Sequence, residues 1–242
     1  MKKFRKVLAL TLCAAALVGA SVFGTMAYLQ DSDAVTNTFT VGKVGLELDE
    51  TDVKLDGSKD TDTRVKANDY KLIPGQTYIK DPTVTVAADS EDSYVRMLVT
   101  LNYATELKAI FGDSFLPQDY VAGWDSSVWV STNEVTYDND ENTLTYEFRH
   151  VGNTDKPGVV AGNTGKLDAL FDSFTLPGSV TNEQLSTLVT WGKDESGKDV
   201  ITDQFKINVT AHAIQADGFT AKDGKTAEDV AWEAFDGQVD TE

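Results

Sequence analysis

The chain is 242 residues long, with 39 acidic residues against 21 basic ones and a formal net charge of -18. Such a surface repels nucleic acid and anionic lipid headgroups, so neither is expected as a partner. The length is enough for a sizeable core. The single cysteine, Cys13, lies in an apolar leader, so the remainder has no disulfide, no thiolate nucleophile and no cysteine-based zinc site.

Residues 1–27 read as an export signal. Lys2, Lys3, Arg5 and Lys6 form a basic start, Val7 to Phe23 is apolar and uncharged, and Thr25-Met26-Ala27 offers a signal peptidase its small residues. The expected cut falls between Ala27 and Tyr28, with Val18-Gly19-Ala20 as a second site. An uncleaved anchor is the competing reading, but the run is short for the ~20 residues of a membrane span and carries Gly19 and Gly24. Leu12 before Cys13 is too large for a lipid-attachment signal. The mature domain is therefore expected over residues 28–242, secreted, meeting the membrane only during export.

From Val35 the letters alternate. Val35, Asn37, Phe39 and Val41 share one face and Thr36, Thr38 and Thr40 the other, which predicts a strand. A strand at the free end of an exported chain pairs with its own body or with another copy. The candidate donor residues are Tyr28, Leu29, Val35, Phe39 and Val41. Val44 to Leu48 continues the alternation, and Asp49 to Asp69 reads as a polar surface excursion.

Leu72-Ile73-Pro74-Gly75 predicts a turn: proline fixes φ and the following glycine accepts the positive φ that a type II turn needs. Tyr78 to Val86 is an expected strand, placed at an edge by Pro82. Tyr94 to Tyr103 is the clearest strand, with Val95, Met97, Val99, Leu101 and Tyr103 on one face and Arg96 on the other. Thr105 to Phe111 predicts a short helix closed by Gly112. Val128 to Val130 and Thr143 to Val151 predict strands, the latter entered by a hairpin turn over residues 137–142. Short stretches at Val159-Val160 and Phe171 to Leu176 follow. Thr181 with Gln184 predicts a capped helix running to about Trp191. Gln204 to Ile214 predicts a strand, and Thr226 caps a last helix whose stripe is Ala227, Val230, Ala231, Ala234 and Phe235. Short strands without a βαβ rhythm indicate a mainly β fold: an antiparallel two-sheet, jelly-roll-like sandwich with a few short decorating helices.

Catalytic chemistry finds little support. There is no His-Glu-x-x-His helix and no Gly-x-Ser-x-Gly elbow, so no catalytic residue is assigned. His150 and His212 each sit in a strand and read as structural histidines rather than metal ligands. Acidic loops at Asp31 and Asp33, Asp60 and Asp62, and Asp138, Asp140 and Glu141 are of the type that takes Ca²⁺, but none completes an EF-hand. Solvated turns are the preferred reading, and neither a metal site nor a cofactor is expected. Trp124, Trp129, Trp191 and Trp232 read as packing residues before a sugar-binding platform.

The leader ending in Gly24-Thr25-Met26-Ala27, followed by Tyr28-Leu29-Gln30-Asp31 and Thr38-Phe39-Thr40-Val41-Gly42, resembles exported proteins cut by the SipW-type signal peptidase. Leu72-Ile73-Pro74-Gly75-Gln76, Lys80-Asp81, Leu98 to Tyr103 and Ala213 to Phe219 resemble the TasA and camelysin family of Gram-positive biofilm matrix proteins. Residues 113–196 carry no matching motif. The resemblance implies a secreted jelly-roll subunit that assembles into extracellular fibres, donating Tyr28 to about Val41 to a neighbour. It implies as partners other copies of the chain, the signal peptidase and an accessory matrix protein. Competing expectations are a camelysin-like metal-dependent surface peptidase, for which the catalytic constellation is missing, and an adhesion module.

Overall fold

The computed structural model describes residues 30–33, 44–112, 116–195 and 197–239. The leader, the Ala27–Tyr28 cut and the donor residues Tyr28, Leu29, Val35, Phe39 and Val41 lie outside them.

The alternating runs from Val44, from Tyr94 and from Thr143 form strands where the sequence places them. The largest sheet is built on β6 (Ser93–Asn102), whose inward face carries Val95, Met97, Val99 and Leu101. On one side β6 pairs antiparallel with β14 (Ile207–Gln215), His212 opposite Arg96 and Val209 opposite Val99. On the other side it pairs with β9 (Thr143–His150), which in turn pairs with β8 (Trp129–Asp138). Beyond the end of β9, β10 (Val159–Val160) takes up the free end of β6. β1 (Gln30–Asp33) closes the sheet on the outer side of β14, with Gln30 opposite Ile214 and Asp33 opposite Ala211.

Two smaller sheets face this one. The first has the order β3 (Lys59–Val65), β2 (Leu46–Val53), β5 (Thr83–Val86). The second has the order β4 (Thr77–Ile79), β11 (Ser173–Thr175), β7 (Val121–Ala122). Leu46, Leu48, Val84 and Val86 meet Val95, Met97, Val99, Tyr146, Phe148 and Ala211 in one buried core. The fold is mainly β, with antiparallel sheets arranged as a sandwich and a few short helices, as the alternation predicts. These helices are α1 (Ala104–Phe111), α2 (Asn182–Ser186), α3 (Ala227–Val239) and a 3-10 turn at Pro117–Tyr120.

The expected turn forms, one residue later, over Ile73-Pro74-Gly75-Gln76. The Gln76 amide donates to the Ile73 carbonyl at 3.1 Å, and Gly75 takes φ +81°.

Three expectations need correction. The excursion 49–69 contains the end of β2 and all of β3, with irregular chain only at 54–58 and 66–69. Its polar residues are held by side-chain bonds in place of apolar packing: Arg64 donates to Asp49, to Asp81 Oδ2 at 2.8 Å and to the Asp49 and Asp81 carbonyls at 3.0 Å. The expected strand 78–86 is two strands in different sheets, separated by Lys80-Asp81-Pro82. The helix beginning at Asn182 ends at Ser186. Its capping box is present, with Thr181 Oγ1 accepting from the Gln184 amide at 3.2 Å and Gln184 Oε1 from the Thr181 amide at 2.9 Å. Thr187, Val189 and Thr190 are β-branched, and the chain turns there into β12 (Val189–Lys193), paired with β13 (Asp199–Gln204).

Candidate functional site

β14 is bonded along its whole length to β6, and among the described residues its outer edge is paired only in part. The four residues of β1 reach from Ile214 to Ala211. Among the described residues, no strand pairs with the outer edge of Ile207 to Thr210. An uncovered edge presents main-chain donors and acceptors to any extended chain that reaches it.

This edge opens onto a cleft of about 530 Å³. One wall is the edge itself, Ile207 to Thr210. The other is made by Leu48 to Glu50 of β2 and by the extended segment that carries Lys66 to Tyr70. Leu72, Phe174 and Phe205 supply apolar surface between them. The cleft therefore combines an unpaired edge with apolar positions that alternate side chains of an added strand can fill.

The polar wall is organised around Glu50. Its side chain is 6% exposed and that of Lys80 is 8% exposed, and Lys80 Nζ donates to Glu50 Oε2 at 2.6 Å. Asn68 Nδ2 donates to the other oxygen, Oε1, at 2.9 Å and to the Thr51 carbonyl at 2.8 Å. Asn68 Oδ1 accepts from the Val53 amide at 2.9 Å. Tyr70 donates to the Ile79 carbonyl at 3.1 Å, and its ring lies 5.9 Å from Lys80 Nζ. Burial, and then the charges of Glu50 and Asp81, push the Tyr70 hydroxyl well above its ordinary value. Next to this group, Asp81 accepts from Arg64, from the Thr51 amide at 2.6 Å and from the Thr51 hydroxyl at 2.8 Å. Burial opposes ionisation of Asp81, but these bonds outweigh it and hold its carboxyl below the usual range.

The outer face of the large sheet carries a second polar group beneath α3. Arg96 is 3% exposed. It forks onto Asp236, with Nη1 to Oδ2 at 3.0 Å, and its Nε donates to His212 Nδ1 at 3.2 Å. The guanidinium lies 4.4 Å from the Trp232 ring and 5.1 Å from that of Phe235. Arg149 Nη1 donates to Asp229 Oδ1 at 2.6 Å, and its Nε to Glu147 Oε1 at 2.6 Å. Burial, reinforced by the neighbouring Arg96 charge, pushes His212 down to about 4. His150 accepts from the Gly152 amide at Nδ1, 3.0 Å, and its ring stands edge-on to Trp129 at 4.9 Å; burial lowers it too. Each histidine thus has structural partners on neighbouring segments, and the two are on different strands of the sheet.

Among the described residues, no group of three or more histidine, cysteine, aspartate and glutamate side chains is placed to hold a metal ion. Asp138 Oδ1 accepts the amides of Asp140 at 2.9 Å and Glu141 at 3.0 Å, as a hydrogen-bonded turn does. Asp62 pairs with Lys59 at 2.6 Å. Trp124, Trp129 and Trp232 pack into the body, whereas Trp191 on the β12–β13 ribbon is 60% exposed. No helix of the described residues is long and apolar enough to cross a membrane.

The sequence singles out Arg96 and the β14 run, but it does not bring Glu50, Asn68 and Lys80 together. One signal was available. Glu50 continues the inward positions of Leu46 and Leu48, so a charge stands where the period demands a buried residue. Comparison with family models, with curated proteins and with solved structures finds no match.

Proposed function

We propose that the protein is a secreted structural subunit that assembles with copies of itself by strand donation, the N-terminal segment of one molecule lying along β14 of the next. The observation that carries this reading is the antiparallel pairing, within one chain, of Gln30–Asp33 with Ala211–Ile214, beside an edge at Ile207 to Thr210 that no described strand pairs. A four-residue strand is a short hold, and its sequence, Gln-Asp-Ser-Asp, is polar throughout. The same edge accepts the equivalent strand of a neighbour with the same main-chain bonds. Continued one-for-one past Asp33, the register sets Val35 opposite Val209 and Asn37 opposite Ile207. The apolar surface of Leu72, Phe174 and Phe205 is then available to the aromatic and β-branched residues of the incoming segment.

Each molecule in this scheme offers one strand at one end and one groove at another. A head-to-tail contact of this kind that does not close on itself generates a filament. The resemblance to biofilm matrix subunits in the leader and the middle of the chain agrees with this reading. The experiment is sedimentation and electron microscopy of the chain from Tyr28 onward, with and without residues 28–41. Filaments that grow with concentration, and their loss on deletion, are expected. A monomer at every concentration and pH, or filaments from the truncated chain, would overturn the proposal.

A further inference from the structure

We propose that Lys80 and Asn68 become joined by a side-chain amide bond that the folded chain forms by itself, with Glu50 carrying the protons. Three groups needed for such a bond meet at one carboxylate. Lys80 Nζ is 2.6 Å from Oε2 of Glu50, and Asn68 Nδ2 is 2.9 Å from Oε1. The Val53 amide holds Asn68 Oδ1 at 2.9 Å, where negative charge would grow during attack on the carboxamide carbon. Lys80 and Glu50 are nearly closed to water, and the Tyr70 ring lies beside the amine. A buried lysine–carboxylate pair contributes little to stability as an ion pair, because both charges lose their hydration. Forming the amide removes the ammonium charge, and the Glu50 carboxylate then accepts from the new N–H.

The step balances without a further reactant. Glu50 takes one proton from the Lys80 ammonium, and the freed electron pair of Nζ forms a bond to Cγ of Asn68. Glu50 passes its proton to Nδ2 and takes the second proton from Nζ. The Cγ–Nδ2 bond then breaks, its electron pair leaving with nitrogen as ammonia, which takes the remaining proton from Glu50 and departs as ammonium. Nothing is oxidised or reduced. The new N–H stays directed at the Glu50 carboxylate, and Oδ1 keeps the Val53 amide.

The bond would add a covalent tie to a stretch that hydrogen bonds and ring contacts already hold. Residues 67–76 contribute no strand or helix, yet they form one wall of the cleft beside β14. The only cysteine of the chain is Cys13, so no disulfide is available for that purpose. This inference does not depend on assembly, since the bond lies within one molecule.

The test is intact-mass spectrometry of the purified folded protein after its first residue has been read. The expected mass is that of the sequence less one ammonia. Trypsin should fail to cut after Lys80 and should release residues 67–71 joined to residues 72–96 as one branched peptide. Lys80→Arg, Asn68→Ala and Glu50→Gln should each restore the full sequence mass, and Asn68→Asp should lose water in place of ammonia. The wild-type measurement decides alone if a variant fails to fold. A folded wild-type protein of unaltered mass, giving two separate peptides, would overturn the proposal, and a linked Glu50→Gln protein would overturn the role of Glu50.

Discussion

His212→Asn tests the packing of α3 on the large sheet. In the folded chain His212 is held at about 4, against an ordinary 6.5, because it is buried next to the Arg96 guanidinium; the Asp236 charge opposes this. Above pH 6.5 the histidine is neutral in both the folded and the unfolded chain, and its titration leaves stability unchanged. As the pH falls below 6.5 the unfolded chain binds a proton that the folded chain refuses until about pH 4. Stability is therefore lost as the pH falls through that window, and the loss levels off below it. At about 1.4 kcal/mol for each tenfold change in proton affinity, the full loss is about 3 kcal/mol. Asparagine keeps an acceptor for the Arg96 Nε–H and has no proton to gain. Urea unfolding of both proteins from pH 8 to pH 4 should show the wild type losing about 3 kcal/mol more than the variant. Parallel pH profiles for the two proteins would refute the reasoning.

Trp232→Ala removes the ring that covers Arg96 and fills the space beneath α3; the expected cost is about 3–5 kcal/mol in chemical unfolding. Gly57→Ala should destabilise by more than about 1 kcal/mol in the same assay. Gly57 has φ +75°, and an added Cβ would stand 2.4 Å from Cδ1 of the buried Tyr78. Because the chain carries a net charge of -18, light scattering should show faster assembly at lower pH, with added salt or with a divalent cation. A rate indifferent to all three would remove charge repulsion from the account.

The strands that read most clearly are those whose alternation separates core from surface. β6 and β14 were legible because Val95 to Leu101 and Ile207 to Ala213 alternate without interruption. β3 was not, since Lys59–Val65 has no buried residue and rests on the bonds of Arg64 to residues distant in sequence. β12 was hidden by a genuine helix start at Thr181, and periodicity gave no sign that Gln204 would draw Val189 into a ribbon. The edge position of β14 among the described strands depends on the order of strands, which local pattern does not fix. The meeting of Glu50, Asn68 and Lys80 depends on side-chain contacts across three separate segments; only the inward position of Glu50 was visible in advance.

Strand donation is tested most directly by mixing two variants of the chain from Tyr28 onward, one carrying Val35→Cys and the other Val209→Cys. That chain has no cysteine of its own. Residues directly opposite on antiparallel strands bring their Cα atoms to about 4.5–5.5 Å, within the range a disulfide spans. Under mild oxidation of assembled material the account predicts a disulfide between one variant and the other, absent when residues 28–41 are supplied in excess as a free peptide. Filaments that form without this cross-link would contradict it.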